Sequence, residues 1–130
     1  MMKFLRLSIA AFLLIASAWA APSDFGGVWV AKYQDKRGRS HEMVFNLAVS
    51  KGQLSGTANI LNVPLLPISN GKIDGNKVRF EVRFEYDPDI GHDVLEFNGT
   101  LVGNTLEMVR TTKGKPGSQK LVATKNSAKL

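Results

Sequence analysis

The 130-residue sequence contains no cysteine, which excludes disulfide staples, thiol nucleophiles and thiolate metal sites together. After residue 20 it has no run apolar enough to span a bilayer and no stretch with a sustained helical period. No acidic residue lies between Arg110 and the C-terminus, and tryptophan is limited to Trp19 and Trp29. A chain with these absences has to fold on a hydrophobic core alone, which about 110 residues can do without staples.

The N-terminus does contain an export signal. Lys3 and Arg6 provide a positive start, and Leu7 to Ala16 is an apolar run of signal-peptide length. Ala18-Trp19-Ala20 supplies the small-x-small pattern that signal peptidase reads. Cleavage is expected before Ala21. The apolar run is shorter than the roughly 20 residues needed to cross a hydrocarbon layer, so no retained membrane span is expected. No cysteine follows the cleavage pattern, which excludes a lipid-anchored form. The expected product is periplasmic or secreted, with residues 1–20 as signal peptide and 21–130 as one domain.

The formal net charge of +6 is unevenly placed. Without Lys3 and Arg6 it falls to +4, and six of the remaining basic residues stand from Arg110 onward. Ala21 to Val109 carries nine basic against eleven acidic residues. Six spaced cations without interleaved aromatics read as a solvated basic edge, and no nucleic-acid partner is expected.

Lys77 to Tyr86 is the clearest strand: Val78, Phe80, Val82, Phe84 and Tyr86 alternate with Lys77, Arg79, Glu81, Arg83 and Glu85. A period of two packs one face and wets the other, as in an antiparallel sheet. Met43, Phe45, Leu47 and Val49 repeat the pattern, and Leu54 to Leu61 follows a turn at Lys51-Gly52. Two prolines predict a loop over Asn62 to Pro67, because each removes a ladder donor. Ile68 to Ile73, strands around Leu95 to Leu101, Leu106 to Met108 and Leu121 to Thr124, and an opening strand from Phe25 to Tyr33 bring the total to about eight. Gly75-Asn76 and Gly103-Asn104 occupy apolar-x-Gly-Asn-x-apolar hairpins, where glycine supplies a positive φ and asparagine tolerates one. Leu54-Ser55-Gly56-Thr57 and Phe97-Asn98-Gly99-Thr100 place glycine inside strands, marking the bulges or sharp bends that close a small barrel. The fold class expected is all-β, a small antiparallel up-and-down barrel of about eight strands.

Phe25-Gly26-Gly27-Val28-Trp29 resembles the Gly-x-Trp that opens the first strand of calycins, the lipocalin- and avidin-like barrels. Ser50 to Thr57 looks like the second hairpin of avidins. The run of Gly27-x-Trp29, Leu54-x-Gly56-Thr57, Ile68 to Gly75, Val78-x-Phe80-x-Val82, Phe97-x-Gly99-x-Leu101-x-Gly103 and Ala123-x-Lys125 is similar to exported bacterial barrel domains of uncharacterised function. The resemblance implies that Trp29 closes one end of the barrel beneath Lys125. These motifs are turn and strand glycines, so they speak for shape rather than chemistry. Avidins enclose biotin with several tryptophans, whereas Trp29 is the only one after residue 20, so biotin is not the expected ligand.

Candidate chemistry is sparse. Asp87-Pro88-Asp89-Ile90-Gly91-His92-Asp93 gathers three carboxylates and a histidine, but its spacing matches no calcium loop, so a solvated acidic loop and no metal are expected. Ser40 precedes His41, yet sequence neighbours rarely form a nucleophile and base, and no Gly-x-Ser-x-Gly elbow occurs. Glu81 and Glu85 lie on the charged face of their strand, which argues against a glycosidase pair. Gly71-Lys72 and Gly114-Lys115 lack the rest of a phosphate loop. Neither a catalytic set nor a cofactor is expected, and the chain reads as a non-enzyme.

What remains is the barrel interior. Met43, Phe45, Phe80, Phe84, Phe97 and Met108 converge there as the candidate lining of a site for a small, largely apolar ligand. An eight-stranded barrel is just wide enough to be filled by side chains or to hold one small molecule, and both outcomes stay open. With a filled core, the domain would instead dock an envelope protein or polymer through its loops and basic tail. A hydrolase is the least supported reading.

Overall fold

A sheet whose strands are apolar on one face only can bury that face by curling onto itself. The chain does this. The structure, a computed structural model, describes residues 22–60, 63–87 and 91–126, so the expected signal peptide lies outside the described residues. The strands are β1 (Gly27–Gln34), β2 (Ser40–Ser50), β3 (Gln53–Ile60), β4 (Val63–Asp74), β5 (Lys77–Asp87), β6 (Gly91–Val102), β7 (Thr105–Thr112) and β8 (Gln119–Lys125). Each pairs antiparallel with the next, and β8 returns to β1 through Trp29↔Lys125 and Ala31↔Ala123, closing an eight-stranded up-and-down barrel.

The alternating apolar residues of several strands turn inward. Trp29 and Ala31 from β1, Met43, Phe45 and Leu47 from β2, Val78, Phe80 and Val82 from β5 and Leu106 and Met108 from β7 are buried in one cluster. Three rings fill the centre. Phe80 and Phe97 stack with centroids 5.0 Å apart, and Phe45 meets both edge-on at 5.7 and 5.2 Å. Pairs of this kind add about 0.5–1.5 kcal/mol beyond the area they bury. Lys77, Arg79, Glu81, Arg83 and Glu85 line the outer face of β5, where a lipid-facing barrel would carry an apolar band. Among the described residues no helix is long and apolar enough to cross a membrane.

Two stretches depart from the sequence reading. Pro22–Phe25 forms a short 3-10 helix, so the first strand begins at Gly27 rather than Phe25. The prolines do not make a loop either: Pro64 and Pro67 lie within β4. Between the pairs Ala58↔Leu66 and Ile60↔Val63 the register shifts, leaving Pro64 and Leu65 opposite Asn59 alone, with Leu65 at φ 59°. A bulge already forgoes ladder bonds, so the missing donor of Pro64 costs little there.

The mid-strand glycines are close-approach points. A Cβ on Gly56, at φ 135°, would stand 1.9 Å from the Asn46 carbonyl oxygen of the neighbouring strand. One on Gly99 would reach 2.9 Å from Met108 Cγ inside the barrel. In the hairpins at Gly75-Asn76 and Gly103-Asn104 the glycine alone takes positive φ, at 60° and 62°, the arrangement of a type II′ turn. Those turns and the one at Lys51-Gly52 lie at one end of the barrel, whereas the connections over residues 35–39 and 113–118 lie at the other.

Candidate functional site

The end with the tight turns is sealed. Trp29 is fully buried there, and its Nε1 donates to the Phe25 carbonyl at 2.9 Å, so the 3-10 helix is held across the opening by the indole it covers. Lys125 Nζ stands 5.5 Å from the Trp29 ring centroid and donates to the Asp24 carbonyl at 3.2 Å. One cation thus meets an aromatic face and ties down the helix end.

Among the described residues, the opposite end is open and polar. Alternation along β1 and β2 turns Tyr33 and His41 inward beyond Ala31 and Met43. The two are register partners, and their rings stack with centroids 5.4 Å apart. His41 Nε2 lies 2.8 Å from Asp35 Oδ2. Asp35 also accepts from the backbone amides of Arg37 and Arg39 and from Arg39 Nε, so one carboxylate organises the whole 35–39 connection. These bonds, the His41 contact foremost, hold its pKa down to about 2. Across the opening, Lys115 pairs with Asp93 at 3.1 Å.

Between these groups lies a recess of about 320 Å³. Met43, Ile60, Phe84 and Leu95 supply its apolar lining; Tyr33, Asp35, Asp93, Arg110, Thr112 and Gln119 supply polar groups, joined by Gln34 and the exposed Lys36. Arg110 continues the inward series Leu106, Met108 on β7, and its register partners are Phe97 and Gln119. Its Nε is buried without a hydrogen-bond partner among the described residues. Burial raises the Tyr33 pKa, with Arg110 pulling it down and Asp35 pushing it up.

The six interior residues named from the sequence divide. Met43 and Phe84 border the recess, whereas Phe45, Phe80 and Phe97 pack on one another beneath it and Met108 is buried lower on β7. Sequence reading missed Arg110, which it grouped with the basic tail. The signal was present: Leu106-x-Met108-x-Arg110 keeps the period of two. Ser40 and His41 point to opposite faces of β2, as adjacent strand residues must. The Asp87 to Asp93 cluster lies largely outside the residues whose side chains are described, and among the described residues no three His, Asp or Glu side chains gather as a metal site. Glu81 faces outward, held by Asn70 and Lys113, and these partners lower its pKa, Asn70 foremost. Compared with known protein families, curated proteins and solved structures, the chain matches none.

Proposed function

We propose that this domain is a non-catalytic, exported binding barrel of calycin-like build that takes a small, largely apolar molecule in its mouth. The observation that carries the reading is the contrast between the two ends. One is plugged by Phe25, Trp29 and Lys125, and the other opens onto a recess with an apolar floor and a few convergent polar groups, the usual make-up of a small-molecule site. Its volume of about 320 Å³ lies at the small end of the ~300–1,000 Å³ common for such sites. The packed phenylalanines confine a ligand to the mouth, so Met43 and Phe84 would touch it, while Phe45, Phe80, Phe97 and Met108 would support the floor. Export rests on the N-terminal signal, and sequencing of secreted material should read from Ala21.

A second reading draws on a groove of about 690 Å³ outside the barrel, where Lys72, Lys77, Arg79 and Lys120 outnumber Asp74 and Glu107 beside the exposed Val122. It favours docking of an anionic envelope protein or polymer. Native mass spectrometry of protein purified from its own host separates the two. A bound small mass that Leu95→Trp abolishes at unchanged melting temperature supports the mouth site. The absence of any such mass, with a macromolecular partner retained by Leu95→Trp, would refute it.

A further inference from the structure

We propose that the molecule held in the recess carries a single negative charge, a carboxylate or its equivalent on an apolar body, and that Arg110 captures it. The inference rests on the reading of the mouth as a binding site and adds what that site selects. Arg110 is placed on the inner face by its register with Phe97 and Gln119. Its buried Nε has no partner among the described residues, and an unmatched buried donor costs free energy. A folded chain usually removes that cost with a nearby acid. Here the two acids in the recess wall are engaged elsewhere, Asp35 by His41 and Arg39 and Asp93 by Lys115. The guanidinium is left facing the recess with its fork of N–H donors, which matches a carboxylate bidentately.

The neighbours refine the choice. Tyr33 stands close enough for Arg110 to influence its ionisation, and burial keeps its phenol protonated at neutral pH, so it serves as a second, neutral donor. Among the described residues, the only cation lining the recess besides Arg110 is Lys36, which is exposed and screened by water, whereas two carboxylates stand in the wall. This disfavours a second negative charge on the ligand and selects a monoanion over a phosphate dianion. The space of about 320 Å³ suits a body of one or two rings or a short chain rather than a two-chain lipid.

The test compares three probes that share one ring system: naphthoate, the neutral naphthalenemethanol and the dianionic naphthyl phosphate. Each is titrated calorimetrically into the protein, its Arg110→Gln variant and its Arg110→Lys variant. Naphthoate should bind at least about tenfold tighter than the alcohol, as expected for a charge-assisted hydrogen bond in a partly dry site, and tighter than the phosphate. Arg110→Gln should erase that preference, weakening naphthoate far more than the alcohol, while Arg110→Lys keeps part of it. Arg110→Gln should also melt no lower than the parent, since it removes an unmatched buried donor and no hydrogen bond or ion pair among the described residues. Equal binding of naphthoate and alcohol, or a preference that survives Arg110→Gln, would overturn the role of Arg110 and leave the mouth site standing. Tighter binding of the phosphate would overturn the monoanion. If none of the three probes bound any of the proteins, the mouth site itself would fall, and this inference with it. A marked drop in melting temperature for Arg110→Gln would make Arg110 a structural residue.

Discussion

Replacing Trp29 by alanine removes the plug of the sealed end, and the expected loss can be worked from its contacts. An indole at zero exposure buries on the order of 200 Å², worth about 5 kcal/mol at ~25 cal/mol per Å² as an upper bound. The Nε1 bond to the Phe25 carbonyl at 2.9 Å contributes about 1 kcal/mol net, and its loss leaves the carbonyl to find water. The Lys125 ammonium at 5.5 Å from the ring adds ~0.5–1 kcal/mol. These contributions overlap, and tryptophan-to-alanine changes in cores cost about 3–5 kcal/mol. A loss near 4 kcal/mol would take a large share of the ~5–15 kcal/mol that holds a domain folded. The melting temperature should fall on the order of 20 °C. Far-ultraviolet circular dichroism in urea and heat is the assay, because the substitution removes the only tryptophan after residue 20 and with it the fluorescence signal. A midpoint within about 3 °C of the parent would refute closure by Trp29, since the predicted loss far exceeds that. Lost ligand binding at unchanged stability would instead move Trp29 into the binding site.

Lys125→Ala should cost far less, about 1 kcal/mol or under, since a partly exposed cation keeps water as a partner; the same melts check it. Gly56→Ala should destabilise by at least ~3 kcal/mol, because its Cβ would fall 1.9 Å from the Asn46 carbonyl oxygen at φ 135°. A well-folded Gly56→Ala protein with parental melting would contradict the strand approach described. The Asp35 carboxyl should titrate at about 2 instead of the ordinary 3.8, followed by its side-chain carbon resonance. His41→Ala should move that midpoint upward. Because the folded value is the depressed one, the stabilisation Asp35 gives is present above pH ~4 and lost as pH falls through about 2; an Asp35→Asn protein should therefore be less stable than the parent at neutral pH, the gap closing as the medium is acidified.

The strands were legible because the period of two is a local property: which side chains share a face follows from pleat geometry before any strand finds its partner. Turn glycines marked the hairpins, whereas the pairing of Trp29 with Lys125 came from the resemblance and not from the alternation. The prolines of β4 were misread, since a missing donor rules out a regular ladder but not a bulge, and only the pairing of β3 with β4 creates one at residues 64–65. Phe25 read as strand because it is apolar; its backbone instead serves the indole of Trp29, a contact that forms only when the barrel end closes around both. Whether the interior was filled or hollow depended on how Phe45, Phe80 and Phe97, from three strands, share one volume, and no single strand encodes that sum. Arg110 shows the division most plainly. Its inward direction was written in the alternation of β7, but its lack of a partner was decided by the closed barrel, which gave Asp35 and Asp93 to other cations and left one guanidinium facing the recess.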